Sequence, residues 1–288
     1  MEVFLNTLFA DAGAEYADAG YVIFGAPYDG TSSYRAGSRD APGAIRAVSF
    51  NFETYIPDPG IDLVDVSVCD LGDLEVLSLP DLVVDQVRET AAMIVQDGKV
   101  PILIGGEHTV TPGAVEAVKP ACYVVCDAHL DLRDEFGGTK WNHACATRRV
   151  MDLGVEDIFI IGARSGPAEE FELVGESERL HMYTADDVAE RGIEAVIRDI
   201  KDIIGDRSLY LSIDADAVDC CLTPGLGTPE PFGITPRDLR SVVRAFAARA
   251  SGFDYVEVCP IDAGQTAAVA AKLIREFIAW HEAGIEGL

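Results

Sequence analysis

Residues 121–134 read ACYVVCDAHLDLRD, an apolar run that passes directly into three carboxylates and a histidine. A continuous, β-branched apolar run of this kind is typical of a strand buried in a parallel sheet. In an extended backbone, Asp127, His129 and Asp131 would point to the same side, as a row of metal ligands does. Taken alone, the row is better explained as a solvated loop after a buried strand, so other segments must decide.

Two further segments place possible metal ligands directly after apolar runs. Residues 208–219, SLYLSIDADAVD, put Asp214 and Asp216 two positions apart, and residues 102–113, ILIGGEHTVTPG, put His108 after a Gly-Gly turn. Four carboxylates held close together would repel one another and raise each other's pKa unless a cation neutralised them. The three segments give six candidate ligands, which are His108, Asp127, His129, Asp131, Asp214 and Asp216.

Strand-like and helix-like segments alternate along the chain. Apolar, β-branched runs predict strands within 21–30, 64–73, 100–108, 122–129, 157–165, 209–216 and 254–262. Amphipathic patterns predict helices within 78–99, 194–204, 234–252 and 264–284. In the third helix we expect Thr235 as the N-cap, Pro236 in the first turn and Gly252 at the end. This order predicts an α/β sandwich, in which functional sites form at the carboxyl ends of the strands.

The chain length and composition indicate one domain over residues 1–288, because no Pro/Ser-rich linker divides them. No apolar run approaches the roughly 18 to 20 residues that span a bilayer, and the N-terminus lacks the basic start of a signal peptide. We therefore expect a cytoplasmic protein. Its seven cysteines contain no CxxC pair, which favours reduced thiols, and adjacent Cys220 and Cys221 are interpreted as small packing residues.

The charge of the chain is strongly negative. It carries 49 acidic against 22 basic side chains, a formal net charge of −27. Nucleic acid and anionic membranes are poor partners for such a surface. Extreme net charge causes self-repulsion that salt screens, as in halophile proteins, so we expect a cytoplasm rich in salt.

The type of ligand indicates which metal the six residues would bind. Hard carboxylate oxygens outnumber imidazoles, and no cysteine occupies a matching position, so manganese is favoured over a structural zinc site. Six ligands are too many for one ion that also keeps a position open for water. Two ions about 3.5 to 4 Å apart fit better, and such a pair activates water near neutral pH. The chemistry predicted is metal-assisted hydrolysis.

Three ordered motifs resemble the signature segments of the ureohydrolases, the arginase and agmatinase family. They are GGEH at 105–108, DAHLD at 127–131 and SIDAD at 212–216 with its continuation PGLGTPEPFG at 224–233. The resemblance covers nearly the whole chain. It implies a three-layer α/β/α sandwich with a central, mainly parallel sheet and two Mn²⁺ ions per chain. It also implies a homo-oligomer, either a trimer or a hexamer, and hydrolysis of a small guanidino substrate to an amine and urea.

The resemblance also assigns roles to individual residues. One manganese ion would bind His108, Asp127, Asp131 and Asp214, and the other would bind Asp127, His129, Asp214 and Asp216. Glu230 matches the glutamate that holds the guanidinium, a role suited to two acceptor oxygens. His143 matches the histidine that relays a proton, for which a group titrating near neutrality is expected. The structural alternatives are a surface acid between two prolines for Glu230 and a packing residue before a helix for His143.

The stretch after DAHLD bears on the tail of the substrate. Arginases of the family have neutral donors there for the α-carboxylate of arginine, whereas this chain has Asp134 and Glu135, as in the agmatinase branch. Acidic side chains favour a substrate that ends in an amine. Arg133 is contrary evidence, since it could bind an acidic tail. We therefore expect agmatine first, hydrolysed to putrescine and urea, then guanidino acids such as 4-guanidinobutyrate, and arginine third.

Two other functions remain open on the sequence alone. A similar sandwich with Asp and His ligands can hold one zinc ion and cleave acyl groups, so a metal-dependent deacetylase is possible. The protein could also be a non-catalytic assembly subunit that keeps the metals for stability. Metal content separates the first alternative from a ureohydrolase, and urea release separates the second.

Overall fold

The computed structural model describes residues 8–285 and 287. The ten strands in this part of the chain are β1 (Tyr21–Ala26), β2 (Tyr55–Ile56), β3 (Ile61–Asp62), β4 (Val68–Asp73), β5 (Val100–Gly105), β6 (Cys122–Cys126), β7 (Asp157–Ala163), β8 (Leu180–Thr184), β9 (Leu209–Asp214) and β10 (Ala250–Val256). The α-helices are α1 (Ala41–Ser49), α2 (Pro80–Gln96), α3 (Thr111–Val118), α4 (Ala146–Asp152), α5 (Ala168–Glu176), α6 (Ala185–Arg191), α7 (Ile193–Ile204), α8 (Pro236–Phe246) and α9 (Gln265–Ala283). Across these described residues, no helix combines the length and the apolar character that a bilayer crossing requires.

Eight strands form one sheet in the order β4-β1-β5-β10-β9-β6-β7-β8. Every neighbouring pair is parallel. The carboxyl ends of all eight strands therefore lie along the same edge of the sheet. The four central strands are β5, β10, β9 and β6, and the candidate ligands lie at the carboxyl ends of three of them.

Helices cover both faces of the sheet. They bury the side chains that alternate between the two faces along each strand. In β1, Ile23 packs into a core shared with α1, α7, α8 and α9, whereas Phe24 packs into a core shared with α2, α3 and α4. The structure thus confirms the predicted α/β sandwich with a central parallel sheet. That residues 1–288 form one domain stays a prediction.

The start of α8 agrees with its sequence signals, but its end does not. Thr235 caps the helix, since its hydroxyl accepts a hydrogen bond from the Asp238 N–H at 3.1 Å, and Asp238 accepts one from the Thr235 N–H at 2.9 Å. The helix ends at Phe246, so the prediction that Gly252 closes it was wrong. Gly252 lies in β10, where a Cβ would come within 2.7 Å of the Tyr210 ring. A glycine at this position therefore allows the ring to pack closely against the strand.

Three short strands were not predicted from the sequence. β2 and β3 pair antiparallel. Each has only two residues, which are too few to show an alternating pattern. β8 lies at the edge of the main sheet and is only partly buried, so it lacks the continuous apolar run of the central strands.

Candidate metal centre

His108 lies at the centre of a first group of donor atoms. The turn before it packs against another part of the backbone, because a Cβ on Gly106 would collide with the carbonyl oxygen of Tyr28. His108 Nδ1 lies 3.2 Å from Asp127 Oδ2 and 3.2 Å from Asp131 Oδ2. It lies 3.3 Å from Asp214 Oδ2, and all four side chains are buried. Nitrogen and oxygen donors at such mutual distances can share one divalent cation.

Asp127 also belongs to a second group of donors. Its other oxygen, Oδ1, lies 3.6 Å from His129 Nδ1, which in turn lies 3.0 Å from Asp216 Oδ2. The ligand atoms of these three residues lie within 4.8 Å of one another. Asp127 therefore presents one oxygen to each group, as a carboxylate that bridges two ions does.

The six predicted ligands come together, but not through the extended rows that the sequence suggested. β6 ends at Cys126, and Asp131 has a left-handed backbone with φ of 51°. Asp216 lies in a 3₁₀ turn after β9, where its N–H donates to Asp214 Oδ1 at 2.8 Å. Turns after the strands, rather than strand alternation, therefore make these side chains converge.

The four carboxylates in this cluster outnumber the two imidazoles beside them. Burial and the neighbouring Asp127 raise the pKa of Asp131 to about 6. Burial and the neighbouring Asp216 raise the pKa of Asp214 well above its ordinary value. His108 Nδ1 and Asp127 Oδ2 are buried and have no hydrogen-bond partner. Such atoms cost roughly 1 to 3 kcal/mol each unless something binds them, and a cation between the two would do so.

A polar network behind His108 fixes the orientation of its ring. His108 Nε2 lies 3.4 Å from both Tyr123 Oη and Ser212 Oγ. Ser212 donates to buried Asp254 at 2.6 Å, and Tyr210 donates to the same carboxylate at 3.0 Å. Partners of this kind on the far side of a ligating imidazole hold its other nitrogen towards the metal.

Glu230 reaches the second group of donors from the loop that follows β9. Its Oε1 lies 3.6 Å from His129 Nε2, and its side chain is partly exposed. The guanidinium of Arg164 donates to the Glu230 carbonyl at 2.9 Å and to the Pro231 carbonyl at 2.9 Å, which anchors the backbone. Glu230 is thus a positioned carboxylate beside the candidate centre rather than a free surface acid.

His143 lines the same cavity as His129 and is held by Thr31. Thr31 Oγ1 lies 3.1 Å from His143 Nδ1 and accepts a hydrogen bond from the His143 N–H at 3.2 Å. The Thr31 and Thr109 hydroxyls donate to Glu107 Oε1 at 2.6 Å and 2.7 Å. Because the Thr31 proton is used in this way, its oxygen is free to accept from His143 Nδ1–H. The network therefore favours the imidazole tautomer whose Nε2 carries no proton.

The pKa of His143 is lower than the near-neutral value expected from the sequence. Burial and the neighbouring imidazoles of His129 and His108 lower the pKa of His143 to about 4. The ring is therefore neutral at physiological pH, and it can accept a proton at Nε2 more readily than it can donate one.

A cavity of about 420 Å³ joins the second donor group to the surface. Among the residues that line it are His129, His143, Phe136 and Arg133. Arg133 stacks over Phe136, with 4.4 Å from its Cζ to the ring centroid, and its Nε lies 3.5 Å from Glu170 Oε1. Arg133 thus lies on the wall of the cavity, with its Nε in a long ion pair to Glu170.

Glu107 and Glu257 also support the site and were not identified from the sequence, although their segments were. Glu107 lies inside GGEH and organises Thr31 and Thr109. Glu257 follows β10, with a left-handed φ of 65°, and its Oε1 accepts a hydrogen bond from the His108 N–H at 2.8 Å. A buried acid beside a predicted ligand was the available signal, since fully buried carboxylates are rare without a role.

Comparisons with known proteins point to one family. The family model described as "Arginase family" matches residues 19–279. The N(1)-aminopropylagmatine ureohydrolase of Thermococcus kodakarensis is 38% identical over 89% of this chain and 88% of its own length. The agmatinase of Pyrococcus horikoshii is 36% identical over 89% of this chain and 90% of its own length. The crystal structure of the agmatine ureohydrolase of Thermoplasma volcanium has 41% identity and a TM-score of 0.91, covering 97% of this chain and 96% of that one.

Proposed function

Because this chain belongs to the arginase family, we propose that it hydrolyses the guanidinium group of agmatine to putrescine and urea. The observation that carries the proposal is the position of Asp127, whose two oxygens each join a different group of donors. Glu230 and His143 lie beside these groups. A deacetylase with a single zinc ion would need only one group, and a silent subunit would need neither Glu230 nor His143.

The donor set fits two manganese ions. His108, Asp127, Asp131 and Asp214 would hold one ion, and Asp127, His129, Asp214 and Asp216 would hold the other. The oxygen-rich ligands, the unpartnered buried atoms and the raised pKa values of Asp131 and Asp214 support this assignment. When bound, the ions would lower the pKa of water and stabilise negative charge as it develops on the substrate.

Glu230 would orient the guanidinium. Its carboxylate can accept two N–H groups of the planar cation, which places the central carbon beside His129 and the second donor group. The anchored backbone of the loop keeps the carboxylate in place without help from the substrate. Loss of Glu230 should therefore weaken binding of the guanidinium and its alignment for attack.

His143 would move the proton that the reaction requires. Water adds to the central carbon, the bond from that carbon to the substituted nitrogen breaks, and the products are urea and a protonated amine. A neutral imidazole with a bare Nε2 can accept a proton from the attacking water and deliver it to the departing nitrogen. Thr31 and Glu107 hold the tautomer that this transfer needs.

The surroundings of Arg133 favour a cationic substrate tail. Its guanidinium already pairs with Glu170, so an acidic tail would have to compete with a buried carboxylate. A second groove of about 550 Å³ shares Arg133 and Pro167 with the cavity. Six acidic residues and two arginines line this groove. The acidic residues are Asp134, Glu135, Glu169, Glu170, Glu172 and Glu176.

This groove supports a second candidate, N(1)-aminopropylagmatine, which extends agmatine by a further amine. The T. kodakarensis relative is named for that substrate. A longer cationic tail could pass Arg133 and Pro167 and reach the acidic groove, where several carboxylates lie close to the path. Agmatine lacks the further amine and would therefore gain less from the groove.

A substrate panel tests the proposal. We expect the manganese-loaded protein in molar salt to release urea from agmatine or N(1)-aminopropylagmatine with a higher kcat/KM than from 4-guanidinobutyrate or arginine. Preference for either acid would overturn the tail assignment but leave the ureohydrolase chemistry intact. No urea release from any of the four would overturn the proposed function.

A further inference from the structure

Two adjacent thiols lie outside the catalytic cavity. Cys221 is exposed and Cys220 is partly exposed, whereas the other five cysteines of the chain are buried. Cys220 packs against the core, as the interpretation of a small packing residue predicted, whereas the exposed Cys221 does not. An exposed thiol contributes little to a core, so for Cys221 and the thiol beside it the chemistry is the property to explain.

A tight turn brings the two thiols together with a carboxylate. The Leu222 N–H donates to the Asp219 carbonyl at 2.8 Å, which closes the turn around Cys220 and Cys221. The Asp219 side chain folds back over the turn and accepts a hydrogen bond from the Cys221 N–H at 2.8 Å. As a result, one donor atom from each of Asp219, Cys220 and Cys221 lies within 4.8 Å of the other two.

We propose that Asp219, Cys220 and Cys221 form a second metal site that binds a thiophilic divalent cation such as Zn²⁺ or Cd²⁺. Thiolates are soft ligands that select these ions over manganese, and the candidate centre around Asp127 offers no thiol among its six ligands. Two sulfurs and one oxygen leave a fourth tetrahedral position for water. Binding forms two metal–sulfur bonds and releases the two thiol protons to solvent.

The turn is joined to the loop that carries Glu230. The Cys220 N–H donates to the Glu230 carbonyl at 3.3 Å, and Asp219 Oδ2 accepts from the Gly233 N–H at 3.0 Å. A cation that draws the Asp219 carboxylate and the thiols together would strain both contacts. Resting on the proposed function, this linkage predicts that Zn²⁺ or Cd²⁺ at the turn raises KM for agmatine more than it lowers kcat.

Cadmium titration of the manganese-loaded protein tests the site directly. We expect ultraviolet sulfur-to-cadmium charge-transfer absorption that saturates at one equivalent per chain. The double variant Cys220→Ala/Cys221→Ala should lose this absorption, and Asp219→Asn should bind more weakly. Glu190→Gln, which removes an exposed carboxylate outside the turn, should behave as wild type. Absorption that persists in the double variant, or that is missing in wild type, would overturn the site.

The kinetic measurement separates this inference from the proposed function. We expect Cd²⁺ to raise KM for agmatine severalfold in wild type and not in the double cysteine variant. Absorption without any change in KM would overturn the link to Glu230. If wild type releases no urea, the proposed function fails, while the absorption titration still decides whether the thiol site exists.

Discussion

Asp127 is the residue on which both donor groups depend, because each of its oxygens faces a different group. We expect Asp127→Asn to lose both manganese ions on dialysis and to release no urea, since an amide nitrogen cannot replace the second oxygen as a ligand. Elemental analysis and a urea assay on the same dialysed sample measure the two effects.

Glu230→Gln is the matched control for this prediction. It makes the same chemical change beside the centre but removes no candidate ligand. We expect it to keep both ions and to lose most urea release. An Asp127→Asn protein that retains two ions per chain would contradict the bridging role.

Thr31 is expected to act through His143 rather than on the substrate. Thr31→Val keeps the shape of the side chain but removes the oxygen that accepts from His143. Because the ring then loses its preferred tautomer, we expect kcat to fall about tenfold or more with little change in KM.

Ser32→Ala is the control for Thr31→Val. Ser32 donates to the same Glu107 carboxylate at 3.3 Å, and its substitution removes only that weaker contact. We expect near wild-type kcat. Equal loss in both variants would mean that the network matters for folding rather than for the tautomer.

The sequence predicted which residues gather at the site, but not how they are held there. Asp131 and Glu257 have left-handed backbones, which a pattern of apolar and polar residues does not reveal. Thr31 supports His143 from 112 positions away in the chain. Ligand type and position after a strand can be read locally, whereas supporting contacts depend on the folded arrangement.

Helix α8 offers a test of its N-terminal cap. Thr235→Ala removes the hydroxyl that accepts from the Asp238 N–H. We expect the free energy of unfolding to fall by about 1 kcal/mol with unchanged activity. Thr90→Ala, which replaces a threonine inside α2, should have no such cost, because alanine favours a helix interior. Chemical denaturation of both variants makes the comparison.

Helix α6 should respond to acid through its own cap. Hydrogen bonds from the Thr184 hydroxyl and the Thr184 N–H lower the pKa of Asp187. A carboxyl whose folded pKa is lowered stabilises the fold above its unfolded pKa and loses this effect as pH falls. The difference in unfolding free energy between wild type and Asp187→Asn should therefore be present at pH 7 and shrink below about pH 4. A difference that grows in acid would contradict the assignment.

The central strands could be predicted from the sequence, because a strand buried on both faces of the sheet needs a continuous run of apolar residues. β5, β6 and β9 have that run and were identified. β8 is a partly buried edge strand whose sequence, LHMYT, does not stand out. Gly252 was misplaced because a glycine after an amphipathic segment usually ends a helix, and only the Tyr210 ring beside it reveals its role in β10.

The net charge of −27 is a property of the whole molecule. Salt near 1 M shortens the Debye length to about 3 Å, which should weaken self-repulsion between exposed carboxylates. We expect the Tm to rise between low salt and molar KCl. A flat or falling Tm would contradict the prediction of a salt-rich cytoplasm.

Choline chloride at the same ionic strength is the informative comparison. Its bulky cation screens charge but is a poor ligand for carboxylates. An equal rise in Tm with both salts would assign the effect to screening, whereas a larger rise with KCl would assign it to bound potassium.

The position of β10 has a consequence for biosynthesis. The sheet consists of the three-strand part β4-β1-β5 and the four-strand part β9-β6-β7-β8, and β10 alone connects them. His108 follows the first part, whereas Asp127, Asp131 and Asp214 belong to the second. Of the eight strands, β10 is the last to leave the ribosome. A nascent chain that ends before Ala250 therefore lacks the strand that joins the two parts of the sheet, and we expect the candidate metal centre to form only after translation has almost finished.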